Sequence, residues 1–183
     1  MLASAAKNDL IPEKILLTHG HIDHAAGATE LANTINLEII GPHIDDKFLL
    51  DELEAQGSML GLPAQNCSPD IWLNEGESVS IGNAILNVFL TPGHTPGHIS
   101  VRIESKGNKA VITGDMTHSP IQIAKPELSS SFDTDPDLAR ETRWDAFERW
   151  ADGETLIIGT HFGTPTAGTM HRDGDAYRLA AQP

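Results

Sequence analysis

Short apolar runs that end in polar residues alternate with stretches of helical spacing along this chain. KILLTH (14–19) is apolar until Thr18 and His19, the pattern of a buried strand whose C-terminal end carries a site. Ala25, Ala28, Leu31, Ala32 and Ile35 then share one helical face, and LEIIGP (37–42) reads as a second strand stopped by Gly41 and Pro42. Strand, helix and strand in this order imply a parallel pair with the helix packed outside it. Residues 45–56 predict another helix, and 57–70 a loop. Apolar alternation returns in ESVSIGNAILNVFLTPG (77–93), a hairpin about Gly82-Asn83, and continues in HISVRIES and NKAVITGD, joined through Lys106-Gly107. Asp135 is placed to cap a helix over 136–151 that has Pro136 at its first position. TLIIGTH (155–161) repeats the opening design, and TAGTMHRDGDAYRL (166–179) predicts a hairpin across Asp173-Gly174. Trp72, Trp144 and Trp150 read as packing residues. With no internal repeat, the alternation describes one layered α/β domain over residues 1–183.

Composition narrows the partners. Twelve Lys and Arg stand against 26 Asp and Glu, a formal charge of −14, which repels phosphate backbones and anionic membrane surfaces. Neither nucleic acid nor a membrane is therefore expected as a partner. A small-molecule substrate remains. There is no 18-residue apolar run and no secretory-type apolar stretch near Met1, so the expected location is cytoplasmic. The single Cys67 has no partner for an internal disulfide, in keeping with a reducing compartment.

One cluster needs a chemical reason. Three of the nine histidines and an aspartate crowd into HGHIDH, residues 19–24. His19, His21, Asp23 and His24 follow the first strand; His94, Asp115 and His161 each follow a later one. Strand C-termini of open α/β sheets are where ligands gather, so these four segments can converge. Five imidazoles and two carboxylates suit borderline-soft divalent metals, zinc first, and exceed the roughly four ligands that one such ion takes. Two ions sharing a carboxylate form a clamp for hydrolysis.

His19-x-His21-x-Asp23-His24, followed in order by His94, Asp115 and His161, resembles the metallo-β-lactamase superfamily of dinuclear metal hydrolases. The resemblance implies an αββα sandwich. It places His19, His21 and His94 on a first ion and Asp23, His24 and His161 on a second, with Asp115 bridging; two Zn2+ are expected, with Fe or Mn as variants. It further implies hydrolysis of an ester, lactone, thioester or phosphotriester by a metal-bound hydroxide, with Asp23 orienting the nucleophile and passing a proton to the leaving group. The first half is similar to glyoxalase II-type thioester hydrolases. The second, from GDMTHSPIQ onward, is similar to methyl parathion hydrolase-like and acyl-homoserine lactonase-like enzymes. Two other readings stay open: a metal-binding relative without turnover, and an iron-dependent oxidoreductase of the same superfamily.

Among the remaining histidines, His118 is a candidate to reach the pocket from beyond Asp115. His43 and His98 read as surface or supporting groups, with His98 bonding a strand neighbour, and His171 as an exposed hairpin residue. Gly93 and Gly97 allow tight turns about His94. Relatives carry several strands before the histidine motif, whereas only Met1 to Glu13 precede Lys14 here. The sandwich is thus expected to lack those strands, leaving a sheet edge and an apolar face that a homodimer would cover.

Overall fold

A computed structural model describes residues 2–181. Its largest element is a seven-stranded mixed sheet in sequential order, formed by β3 (Ser78–Ile81), β4 (Ala84–Leu90), β5 (Ile99–Ser105), β6 (Asn108–Ile112), β7 (Asp152–Ile158), β8 (Ala167–Asp173) and β9 (Ala176–Ala181). All neighbours are antiparallel except β6 and β7, which run parallel. A second, two-stranded parallel sheet pairs β1 (Ile15–Leu16) with β2 (Ile39–Ile40).

Residue alternation dictates the layers. Leu16 and Ile40 face Leu86, Val88, Ile99 and Val101 of the large sheet, so the two sheets pack face to face. Leu17 and Ile39, one position removed, turn the other way and meet Ala25, Ala28, Leu50, Leu53 and Cys67. Those residues belong largely to α2 (Ile22–Ala25), α3 (Ala28–Ile35), α4 (Lys47–Leu50) and α5 (Leu53–Leu60). On the far face of the large sheet, Val111, Ile157, Met170 and Tyr177 pack against Ile123 of α6 (Pro120–Ala124) and Ala146, Phe147 and Trp150 of α7 (Pro136–Trp150). Helix, sheet, sheet, helix is the expected αββα order. Fully burying a residue such as Phe147 contributes about 1.5–3 kcal/mol, so this cluster anchors α7 firmly.

The helices of the first half are more broken than their spacing predicts. The helix expected over 25–35 divides at Ala26-Gly27 into α2 and α3, because Asp23 and His24 turn toward the sheet ends. The helix expected over 45–56 becomes a 3-10 turn at Ile44–Asp46 followed by α4 and α5. There His43 Nδ1 accepts the N–H of Asp45, and the Asp46 side chain leaves the helical path for three partners in other loops. α5 then runs on to Leu60, into the segment expected to be loop. α7 begins as predicted: Asp135 accepts the N–H of Leu138 ahead of Pro136, a cap worth about 1 kcal/mol.

At the N-terminus, α1 (Leu2–Lys7) buries none of its residues. The large sheet ends in β3 and β9, and Ala110, Ile112, Leu156 and Ile158 are half-buried on its face beyond the small sheet. Trp150 is core, Trp72 packs beside the first-half cluster, and Trp144 lies against Tyr177 at the surface. Among the described residues, no helix is long and apolar enough to cross a membrane.

Candidate metal centre

Four strand ends supply the site, and backbone pairing explains why they meet. Ile99 donates its N–H to Thr18 O, which sets the end of β1 beside the start of β5. The parallel pairing of β6 and β7 brings Asp115 and His161 out at the same end. The turn from β4 to β5 carries His94. It is tight because Gly93 holds φ +118° and its α-carbon approaches α7 closely, so that a Cβ there would sit 2.3 Å from Ala139 N.

All seven residues expected as ligands come together. The ligand-type atoms of His19, His21 and His94 lie within 4.8 Å of one another, as do those of Asp23, His24, Asp115 and His161. A third grouping, His94, His118 and Asp133, shares one member with the first. The centre of the arrangement is Asp115 Oδ2. Nε2 of His161 lies 3.0 Å from it, of His24 3.2 Å, of His118 3.3 Å, of His94 3.6 Å and of His19 3.8 Å. His118 thus reaches the pocket as expected, its ring stacked on that of His161 at 5.5 Å.

Five nitrogens around one oxygen are too many for hydrogen bonding alone. Only His161 meets hydrogen-bond geometry there. His19 Nε2, His24 Nε2 and Asp115 Oδ1 are buried with no hydrogen-bond partner, which is costly unless something else satisfies them. Ligand atoms about 2.0–2.1 Å from a tetrahedral ion stand about 3.3 Å apart. The spacing, the orphaned lone pairs and the nitrogen-rich donor set all fit divalent metal ions.

The electrostatics favour ligation too. Burial, followed by the neighbouring His98, drives His19 well below its ordinary pKa. Burial and then His94 bring His21 down to about 4. Both rings are therefore neutral near pH 7, as metal binding requires. Burial disfavours the charged form of His24, but the Asp115 carboxylate beside it outweighs that and raises its pKa. Burial would raise Asp115 itself; the surrounding imidazoles, led by His118 and His24, hold it well below the usual carboxylate range. Asp23 sits at the mouth with its side chain 55% exposed, 3.3 Å from His24 and 3.5 Å from His161.

Supporting contacts surround this set. His98 is fully buried, so it is no surface residue: its Nδ1 pairs with Thr91 Oγ1 at 2.8 Å and its Nε2 accepts the N–H of Asp115 at 2.9 Å. His43 caps its 3-10 turn away from the cluster. His171 is half-buried rather than exposed, bonded to Thr169 and lying against Gly153. Sequence reasoning missed Asp46, which links the loops of His19 and His94, and Asp133, which meets His94 Nδ1 at 3.0 Å. It also missed Arg143, wholly buried beneath Asp133. No spacing rule marks these residues, since their partners lie far away in the chain.

Comparisons with known proteins agree with this geometry. The hydroxyacylglutathione hydrolase GloC of Haemophilus influenzae (strain ATCC 51907 / DSM 11121 / KW20 / Rd) is 40% identical over 110 residues, which cover 59% of this chain and 51% of that protein. The chain thus spans about half the length of that relative. The crystal structure of hydrolase AbOPH in the beta lactamase superfamily superposes with TM-score 0.78 at 23% identity, covering 100% of this chain and 69% of that one. AidC, a dizinc quorum-quenching lactonase in complex with a homoserine product, superposes with TM-score 0.76 at 19% identity, over 100% of this chain and 69% of AidC. The family described as the metallo-beta-lactamase superfamily matches residues 2–171. On that match, and on the sandwich and histidine cluster it predicts, the chain belongs to the metallo-beta-lactamase superfamily.

Proposed function

We propose that this chain is a metal-dependent hydrolase that takes two divalent ions, zinc by preference, and cleaves a small uncharged ester, lactone, thioester or phosphotriester. The observation that carries the reading is the convergence of five imidazole nitrogens on one oxygen of Asp115. His19, His21 and His94 would hold one ion, Asp23, His24 and His161 the other, and Asp115 would lie between them. Bound there, the ions would supply an activated water and a Lewis acid for the developing oxyanion.

The chain's own residues supply the remaining steps. Burial keeps His19 and His21 unprotonated, so their lone pairs stay available. Asp23, the exposed carboxylate of the cluster, would orient a nucleophile and carry a proton toward a leaving group, a role its 3.3 Å approach to His24 supports. His118 faces the same space from the segment after β6. Ile121, Leu128 and Phe132 on that segment are exposed, which supports an apolar substrate body. The one wholly buried guanidinium nearby, Arg143, is committed to the carbonyls of Met116, Pro126 and Leu128. The relatives' printed activities, hydroxyacylglutathione hydrolysis and lactone cleavage, bracket the chemistry proposed.

Elemental analysis of the purified chain should find two zinc ions, and a panel of lactones, thioesters, aryl esters and phosphotriesters should show turnover that a chelator abolishes. Full metal occupancy with no turnover on any of them would reduce the reading to a metal-binding protein.

A further inference from the structure

We propose that Asp133 is a positioning residue: it fixes the orientation and tautomer of His94 so that its Nε2 lone pair faces the metal site. This rests on the reading of His94 as a ligand. Asp133 Oδ1 lies 3.0 Å from His94 Nδ1, and both side chains are only 1% exposed. An ionised carboxylate only accepts hydrogen bonds, so His94 Nδ1 must carry the proton, and Nε2 must then be the bare nitrogen. Nε2 is the atom that points at the cluster, 2.9 Å from His21 Nδ1 and 3.6 Å from Asp115.

Asp133 is itself held in place. Its Oδ2 accepts the N–H of Ser130 at 2.8 Å. The Arg143 guanidinium sits 3.8 Å from Oδ2. Arg143 is itself immobilised, with Nε on Met116 O and Nη1 on Pro126 O and Leu128 O. The backbone fastens the same loop to His94 a second time, since Thr134 N–H donates to His94 O and Asp135 N–H to Gly93 O. The loop between α6 and α7 thereby sets the geometry of a ligand carried by the turn from β4 to β5. Partners of this kind are worth about 10–100-fold in metal affinity.

The test loads the full chain with cobalt(II) and compares the parent with Asp133→Ala and Asp133→Asn. In the parent, the proton on His94 Nδ1 should appear as a slowly exchanging, paramagnetically shifted NMR signal. In Asp133→Ala that signal should vanish into exchange with water, and chelator competition should show the ion shared with His19 and His21 held about 10–100-fold more weakly. Asp133→Asn keeps an oxygen of the same shape, protects the fold if the alanine variant collapses, and should retain the signal with a smaller loss of affinity. An unchanged signal and affinity in both variants would overturn the positioning role alone. Complete loss of the ion in Asp133→Asn would also overturn it, by making Asp133 a ligand in the His94, His118 and Asp133 grouping. A parent chain that takes up no cobalt would overturn it together with the metal reading.

Discussion

The Asp46 carboxylate accepts the backbone N–H of Gly97 at 2.6 Å while it is itself wholly buried. Its other oxygen accepts Gly20 N–H at 2.8 Å and the Thr95 hydroxyl at 2.7 Å. One side chain thus ties the loop that follows β1 to the turn that carries His94. Gly97 is glycine for the same reason, since a Cβ there would lie 2.6 Å from Asp46 N.

Removing that tie should damage both fold and site. Asp46→Ala strands three donors, each costing about 1–3 kcal/mol when buried and unpaired. Urea unfolding should show a loss of at least about 3 kcal/mol, with reduced metal content in the surviving folded protein. An unfolding midpoint equal to that of the parent would show that the loops hold without it.

The turn at Gly93 predicts a sharp contrast between two glycines. Gly93→Ala forces an L side chain to φ +118° and into the Ala139 backbone, so it should cost more than about 2 kcal/mol. Gly163→Ala meets nothing within 4 Å and should stay within about 0.5 kcal/mol of the parent. Paired thermal melts compare the two directly; equal shifts would refute the steric account.

Cys67 should behave as an inert thiol. It is buried in the first-half cluster, and burial raises its pKa above the ordinary value, only partly offset by Thr29. The folded chain therefore holds this proton more tightly than the unfolded chain. The resulting stability is complete below the unfolded thiol's pKa near 9 and is lost as pH rises through the folded value. A disulfide reagent should label the native protein only at the rate of unfolding, and Cys67→Ser should flatten the alkaline part of the stability curve. Rapid labelling at pH 7 would contradict the burial.

Asp115→Ala should empty the site and abolish turnover, because it removes the carboxylate that Nε2 of His19, His24, His94, His118 and His161 approaches. His171→Ala, whose ring contacts Thr169 and Gly153 at the far end of β8, should leave turnover unchanged. Metal analysis and activity on one substrate settle both. Retention of full metal and rate in Asp115→Ala would remove Asp115 from the centre.

What the sequence disclosed depended on how local each constraint is. His19, His21, Asp23 and His24 were legible because side chains that one turn brings to a common cluster must be neighbours in the chain. His94, Asp115 and His161 stood out because each follows an apolar strand. Asp46 and Asp133 gave no such sign: their partners lie 51 and 39 positions away, at Gly97 and His94. The breaks in the first-half helices have the same origin. Apolar spacing at Ala25, Ala28 and Ile35 describes what the helices bury, but the turn at Ala26-Gly27 serves the polar residues before it. His98 was legible as a supporting group bonded to a neighbour, but its complete burial was not, because a histidine wedged beneath this cluster looks, in sequence, like any other loop histidine.

The parallel pairing of β6 with β7 has a consequence for how the protein is made. Antiparallel neighbours along the large sheet can assemble as the chain emerges, but β7 arrives only after α6 and α7 have been synthesised. His161 follows β7, so it joins the cluster only after the parallel pair has closed. Such long-range closure is slow. Were the proposed ions taken up during synthesis, the grouping of His19, His21 and His94 would be available first, and the one that includes Asp115 and His161 only once β7 had paired with β6.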